Sequence, residues 1–119
     1  LLGIRSWLLN RRVRPFGACE SQFRSAIAAG DLEALKAGLR LIHRALDQTL
    51  GETLFRGQLQ NFLKQHPRFE PLSARLSDFF VLSEQVFFAQ EPQIENLKDK
   101  AGNLRKLFDQ CRKAEKQTA

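Results

Sequence analysis

The chain has 119 residues, of which 43% are hydrophobic and 27% are charged, and its formal net charge is +6. That length is typical of one domain with its own core, and the composition excludes a disordered tail. Residues 1–16 hold four arginines and no acid, residues 98–119 hold seven lysines and arginines against three acids, and residues 17–97 carry two more acids than bases. A near-neutral centre with basic ends is a weak signal for nucleic-acid binding. It is a better signal for solubility or for a position beside a membrane.

The first fourteen residues, LLGIRSWLLNRRVR, place apolar side chains and Trp7 ahead of an arginine cluster of Arg11, Arg12 and Arg14. Tryptophan favours the membrane–water boundary and arginine clusters mark its cytoplasmic side, although a full crossing needs about 20 apolar residues. Three interpretations stay open. The segment is the end of a membrane helix, a helix packed on the domain, or a free basic arm.

The beginning of the chain also bears on its domain organisation. The chain starts with Leu1-Leu2 and contains no methionine, so we expect it to be a piece of a longer protein. Pro15-Phe16-Gly17 is a helix-breaking sequence that predicts a linker. The predicted division is a membrane-proximal basic segment over residues 1–16 and a helical domain over residues 17–119.

A helical hairpin is predicted at the start of the domain. The apolar spacing predicts a first helix over residues 18–29, after which Gly30 is a C-cap and Asp31 caps the next helix. The second helix carries leucines and an isoleucine three or four residues apart and runs to about Thr49. Because the joint is short, the two helices are expected to pack antiparallel over residues 18–49.

Three further helices are predicted over residues 53–65, 72–90 and 93–116, separated by glycine and proline breaks. The helix over residues 72–90 is the most hydrophobic and carries large side chains on more than one face, which predicts that it lies at the centre. Together these elements predict an all-α fold, a small antiparallel bundle of four to five helices that contains the hairpin.

The inventory of reactive side chains predicts no enzyme. His43 and His66 are far apart in the sequence; His43 is interpreted as a residue at the core boundary and His66 as a cap at the end of the third helix. Cys19 and Cys111 lack metal-ligand spacing and are expected to be reduced thiols, with a disulfide between them as the alternative. Phosphate-loop and hydrolase motifs do not occur in the sequence. We therefore expect no catalysis, cofactor, metal or small-molecule substrate.

The ten phenylalanines suggest a surface for a protein partner. Phe79, Phe80, Phe87 and Phe88 are the candidate partner-binding residues, if their helix is not fully covered; the alternative is a role in the core. A second functional hypothesis is a soluble basic helical module that associates with nucleic acid through the last helix, although acids interrupt its basic stripe.

Three stretches occur in a distinctive order: a helix joint at Ala28–Asp31, an L-x-x-F-L…P stretch at Leu59–Pro67, and a helix at Leu72–Phe88 ending in Val-Phe-Phe. This order resembles the C-terminal cytoplasmic part of BatD-type oxygen-tolerance (aerotolerance) proteins of bacteria. In that family, periplasmic immunoglobulin-like domains precede one membrane helix and a small helical tail follows it. The tail usually carries a tryptophan near the end of its second helix, where this chain has Leu41-Ile42-His43-Arg44.

The resemblance implies a non-catalytic protein-interaction domain at the cytoplasmic face of the inner membrane, tethered through the preceding segment. It also implies a role in oxygen or stress tolerance. The implied partners are von Willebrand-type domain membrane proteins and a MoxR-type AAA+ ATPase.

Overall fold

A computed structural model describes residues 14–117, and over that range the predicted all-α class is confirmed. Six α-helices and two short 3₁₀ segments carry the fold. The α-helices are α1 (Pro15–Ala18), α2 (Glu20–Ile27), α3 (Leu32–Leu50), α4 (Leu59–Gln65), α5 (Ser73–Phe87) and α6 (Leu97–Glu115), and the 3₁₀ segments are Arg56–Gln58 and Pro67–Leu72. No helix among the described residues combines the length and the apolarity that a bilayer crossing requires.

The predicted hairpin is confirmed as α2 and α3. Gly30 adopts a left-handed φ of 69°, which glycine tolerates without strain, and reverses the chain after α2. Asp31 then caps α3, because its Oδ1 accepts a hydrogen bond of 2.8 Å from the backbone N–H of Ala34. Gly51, with a φ of 87°, ends α3 as a left-handed C-cap.

Helix α3 is the central element. Leu35, Leu39, Ile42 and Leu46 along it are fully buried, and α1, α2, α5 and α6 all pack against it. The prediction that the helix over residues 72–90 is central is therefore wrong. The corresponding helix α5 packs on α3, on the second 3₁₀ segment and on α6, and its Val81 side chain is left half-exposed.

Helix α6 crosses the hairpin and runs in the same direction as α3. The Lys98 side chain lies beside Gly30, and further along the two helices Leu104 lies beside Gly38. The Arg105 guanidinium donates a hydrogen bond of 3.3 Å to the carbonyl of Ile27. This contact places positive charge at the carbonyl end of α2, where the helix dipole favours it.

The start of α4 differs from the prediction. The expected helix over residues 53–65 begins only at Leu59, because Leu54 is buried in an extended segment. The backbone N–H of Leu54 donates to Asp47 Oδ1 at 2.9 Å, which fixes this segment against the end of α3. Phe55 consequently points outward and is 63% exposed.

The prediction of a linker at Pro15-Phe16-Gly17 is wrong. These residues form α1, whose Phe16 ring is fully buried and packs edge-on against Phe108, with 5.4 Å between ring centroids. The Glu115 carboxylate accepts hydrogen bonds from the backbone N–H groups of Phe16 (2.9 Å) and Gly17 (2.7 Å). We call this arrangement the clasp. It ties the first described helix to the last turn of α6.

Arg14 is exposed and immediately precedes α1. The other three residues predicted to lie near a membrane, Trp7, Arg11 and Arg12, fall outside the described residues.

Candidate functional site

A groove of about 650 Å³ lies between α5 and α6. Leu82, Leu104 and Leu107 are buried and form its apolar floor, and Val81 is half-exposed on its wall. Its remaining lining residues are Phe79 and a polar rim of Arg75, Asp78, Gln85, Lys100 and Asn103. An apolar floor with a polar rim is the usual composition of a binding site on a protein surface.

Helical spacing explains why these residues share one groove. Arg75, Asp78, Leu82 and Gln85 follow one another at steps of three, four and three residues, which places them on one face of α5. On α6, Lys100, Leu104 and Leu107 are four and three residues apart, so they also share one helix face. The groove therefore results from two helix faces that meet along their apolar edges and diverge at their polar edges.

Phe88 follows this groove along the chain and is not among its lining residues. It lies three residues after Gln85 and seven after Val81, and its N–H donates to the carbonyl of Glu84 at 3.0 Å, so the helical path continues to it. Helical spacing places Phe88 on the Val81 edge of α5, well away from the direction of Leu82 on the groove floor. Its side chain is 84% exposed, the largest exposure of any bulky apolar side chain among the described residues.

The four candidate partner-binding phenylalanines separate into different environments. Phe79 and Phe80 are buried, so the prediction that they could form an exposed patch is wrong. Phe87 is half-buried, with the Arg40 guanidinium 5.1 Å from its ring centroid, which is a cation–π distance. Only Phe88 presents its whole ring to solvent, because it follows the last helical turn of α5, where no other helix covers it.

His43 occupies the interface between α3 and α5. Its Nε2 and the hydroxyl oxygen of Ser83 form a hydrogen bond of 2.6 Å, and its ring packs on Phe79 and Phe80 with centroid distances of 4.5 and 5.5 Å. Burial lowers the pKa of His43, and the carboxylate of Asp47 one turn later opposes that effect. Histidine beside serine is a pairing used for nucleophilic catalysis. Here, however, Ser83 is buried between the two helices and is turned toward α3, away from the groove. The pair holds α3 and α5 in register.

His66 lies at the end of α4, as predicted. Its backbone N–H donates to the carbonyl of Phe62 at 2.8 Å, and its ring packs on the Phe62 ring. Burial and the positive charge of Arg68 lower the pKa of His66. Among residues 14–117, no cluster of three or more histidine, cysteine, aspartate or glutamate side chains has the geometry to hold a metal ion.

Cys19 and Cys111 are free thiols, as the reduced alternative predicts. Burial raises the pKa of each, and the nearby Glu115 carboxylate raises both further. Both groups are therefore protonated and weakly nucleophilic at neutral pH. They act as small apolar side chains beside the clasp.

The basic side chains of α6 are partly engaged within the protein. Arg112 pairs with Asp109 at 2.8 Å and lies 3.6 Å from Glu20, and Lys113 pairs with Asp109 at 3.2 Å. Hydrogen bonds from these two cations lower the pKa of Asp109. Since Arg105 also donates to the end of α2, α6 offers fewer free cations for phosphate contacts than its sequence suggests.

The floor of the groove was missed from the sequence. Val81, Leu82, Leu104 and Leu107 all fit a core interpretation, because each belongs to an apolar stripe. The available signal was the apolar character of α5 on more than one face, which predicts either a central helix or an uncovered surface. Whether that side of α5 is covered or exposed depends on the orientation of α6. That orientation is set by contacts between residues that are distant in the sequence.

Comparisons of this chain with protein-family models, with curated proteins and with solved structures find no match.

Proposed function

We propose that this chain is a protein-interaction domain that binds a protein partner through Phe88 and the α5–α6 groove. The observation that carries the proposal is the position of Phe88, which is 84% exposed and lies three residues beyond the groove-lining Gln85. The two features are neighbours, because the helical path of α5 continues from Val81 and Gln85 at the groove to Phe88.

The energetics of apolar exposure support this proposal. Covering a phenylalanine ring is worth roughly 1.5–3 kcal/mol relative to leaving it in water, so a ring that the fold leaves uncovered is available to a partner. Aromatic side chains that enter a partner's pocket are frequent energetic centres of interfaces. Phe55, 63% exposed, precedes the first 3₁₀ segment and is not on the helical path of α5 that leads from the groove to Phe88.

The biological setting of the proposal comes from the resemblance to BatD-type proteins. In that setting the domain lies at the cytoplasmic face of a bacterial inner membrane, tethered through the segment before α1. It acts in oxygen or stress tolerance with von Willebrand-type domain membrane proteins and a MoxR-type ATPase. The clasp is consistent with such a tether, because it anchors the chain to the folded body directly after Arg14.

Binding measurements with purified proteins test this proposal. The chain is titrated with the cytoplasmic region of a von Willebrand-type partner and, separately, with a MoxR-type ATPase from the same bacterium. We expect Phe88→Asp to weaken binding by at least about tenfold, since a tenfold loss corresponds to 1.4 kcal/mol and central aromatics often contribute more.

Phe55→Asp is the matched control, because it introduces the same charge at another exposed phenylalanine. Both variants should keep the circular dichroism spectrum and unfolding midpoint of the parent chain. Equal binding by the parent and Phe88→Asp, or absence of binding to either candidate partner, would contradict the proposal.

A further inference from the structure

The α5–α6 groove carries positive charge at both ends. Arg40 lies over Phe87 and His43 contacts Ser83, so α5 runs antiparallel to α3 and hence also to α6. Lys100 therefore lies at the end of the groove near Phe88, and Arg75 lies at the opposite end. These two cations are separated along the groove by its leucine floor.

The charges of the groove are not neutralised by ion pairs within the described part of the chain. Arg75, Lys100 and Asp78 are the charged lining residues, and none of the ion pairs formed by residues 14–117 includes them. A partner that covers the groove removes water from these side chains. Desolvated cations are tolerated when the partner supplies carboxylates opposite them.

The length of the groove fits a helix of about three turns. Arg75 and Gln85 are ten residues apart on α5, which corresponds to roughly 15 Å at the helical rise of 1.5 Å per residue. The apolar surface along this length consists of the half-exposed Val81 and the edges of Leu82, Leu104 and Leu107. An amphipathic helix would meet it with side chains at positions i, i+3 or i+4, and i+7, which is a recurring mode of peptide recognition.

From these observations we propose that the groove binds an amphipathic α-helix of a partner protein that carries apolar residues along one face and acidic residues near both ends. This inference rests on the proposed function and specifies the chemistry of the partner. The acidic residues would lie opposite Lys100 and Arg75, and Phe88 would cover one end of the apolar face.

A second copy of this chain is a poor occupant of the groove. The amphipathic helices α2, α3 and α6 already turn their apolar stripes into the core, where their large apolar side chains are buried. A helix that fills the groove must instead come with an apolar face that is free in its own protein.

Binding of stapled helical peptides tests the inference. One fluorescent peptide carries leucines at i, i+3, i+4 and i+7 with two glutamates at each end; a second has lysines in place of the glutamates, and a third has the first composition in scrambled order. Anisotropy titrations measure affinity, and NMR shifts of the Val81, Leu104 and Leu107 amides report where the peptide binds.

We expect the glutamate peptide to bind at least tenfold more tightly than the lysine peptide and to shift these groove amides. In the double variant Arg75→Glu/Lys100→Glu the preference should reverse. Asp78→Asn should strengthen binding of the glutamate peptide, because it removes the one acidic side chain of the rim. All three changes are on exposed or half-exposed side chains, so the fold should persist.

Three results would overturn the inference: no groove shifts with the glutamate peptide, equal affinities for the glutamate and lysine peptides, or groove shifts that depend on the concentration of the chain alone. The last result would identify a second copy as the occupant. A natural partner whose binding depends on Phe88, combined with peptides that fail to bind, would sink this inference and leave the proposed function standing.

Discussion

The two ends of helix α6 lie in different environments. Near Glu115 its side chains close the clasp over α1, where Phe16 is fully buried and two backbone N–H groups are satisfied. Near Lys100 the same helix borders a groove with α5, and the exposed Phe88 follows the C-terminal end of α5. The first region is closed by buried contacts, and the second leaves Val81 half-exposed and Phe88 exposed.

The contrast separates a buried, hydrogen-bonded contact at one end of α6 from an open groove at the other. The clasp uses a carboxylate that is only 8% exposed, and burying such a charge is favourable only with good hydrogen-bond partners. The groove keeps its three leucines at most 9% exposed, and the more exposed apolar side chains are Val81 and, beyond the groove, Phe88. Substitutions that affect one region should therefore have little effect on the other.

The largest expected difference in the free energy of unfolding is between variants of two phenylalanines, Phe16 and Phe88. Phe16→Ala should lower the free energy of unfolding by about 3–5 kcal/mol, because it removes a fully buried ring and leaves a cavity. Phe88→Ala should change it by less than about 0.5 kcal/mol, since that ring is exposed. Urea denaturation of both variants measures the difference, and similar losses would remove the distinction between the two regions.

Variants of the clasp should show the next largest loss in the free energy of unfolding. Glu115→Ala should cost about 2–3 kcal/mol, because it removes charged hydrogen bonds and leaves two N–H groups without partners. Glu115→Gln should cost less, since its amide oxygen still accepts one bond. The exposed Glu95→Ala is the control and should be near neutral in the same urea titrations. A loss in the control equal to that of Glu115→Ala would refute the role of the clasp.

Two glycines in long helices offer a matched test of packing. A Cβ on Gly38 of α3 would lie 2.8 Å from the buried Ile27 side chain, so Gly38→Ala should lose about 1 kcal/mol net after its helix-propensity gain. A Cβ on Gly102 of α6 meets nothing within 4 Å, so Gly102→Ala should gain up to about 1 kcal/mol. Thermal unfolding of the two variants should shift the midpoint in opposite directions. A shift of the same sign would contradict the close contact of α2 and α3.

The smallest expected effect is the pH dependence that His43 introduces. Its folded-state pKa lies below the ordinary value of 6.5, so the unfolded chain takes up a proton first as the pH falls. The free energy of unfolding should be constant above about pH 6.5. It should decline as the pH drops from about 6.5 toward the folded-state pKa of His43. His43→Gln should flatten this decline in urea titrations. The decline that remains should come from His66, whose pKa is also lowered. An unchanged slope in His43→Gln would contradict the burial of His43.

The fold was largely predictable where local chemistry decides it. Gly30 and Asp31 carry the signals of a helix end and a helix start, and the apolar steps of α6 predict its buried stripe. Errors arose where contacts distant in the sequence override local signals. Pro15-Phe16-Gly17 has the composition of a break, but Glu115, about a hundred residues later, supplies the acceptors that hold it as a helix.

The candidate site was predictable only in part, for the same reason. Phe79, Phe80, Phe87 and Phe88 are indistinguishable as apolar residues of one helix, yet Phe79 and Phe80 face His43 and Phe88 faces solvent. Which of them is covered depends on how α3 and α6 pack against α5, and no residue pattern within one helix specifies that packing. Of the four phenylalanines named from the sequence, Phe88 alone is fully exposed, and Phe87 is half-buried.

Site-specific photocrosslinking in the native cells tests the central claim most directly. A benzophenone amino acid replaces Phe88 in one variant and Phe55 in a second, and crosslinked products are identified by mass spectrometry. The account predicts one defined protein product at position 88, joined through an amphipathic helix with acidic ends, and no such product at position 55. The same products at both positions, or none at position 88, would contradict it.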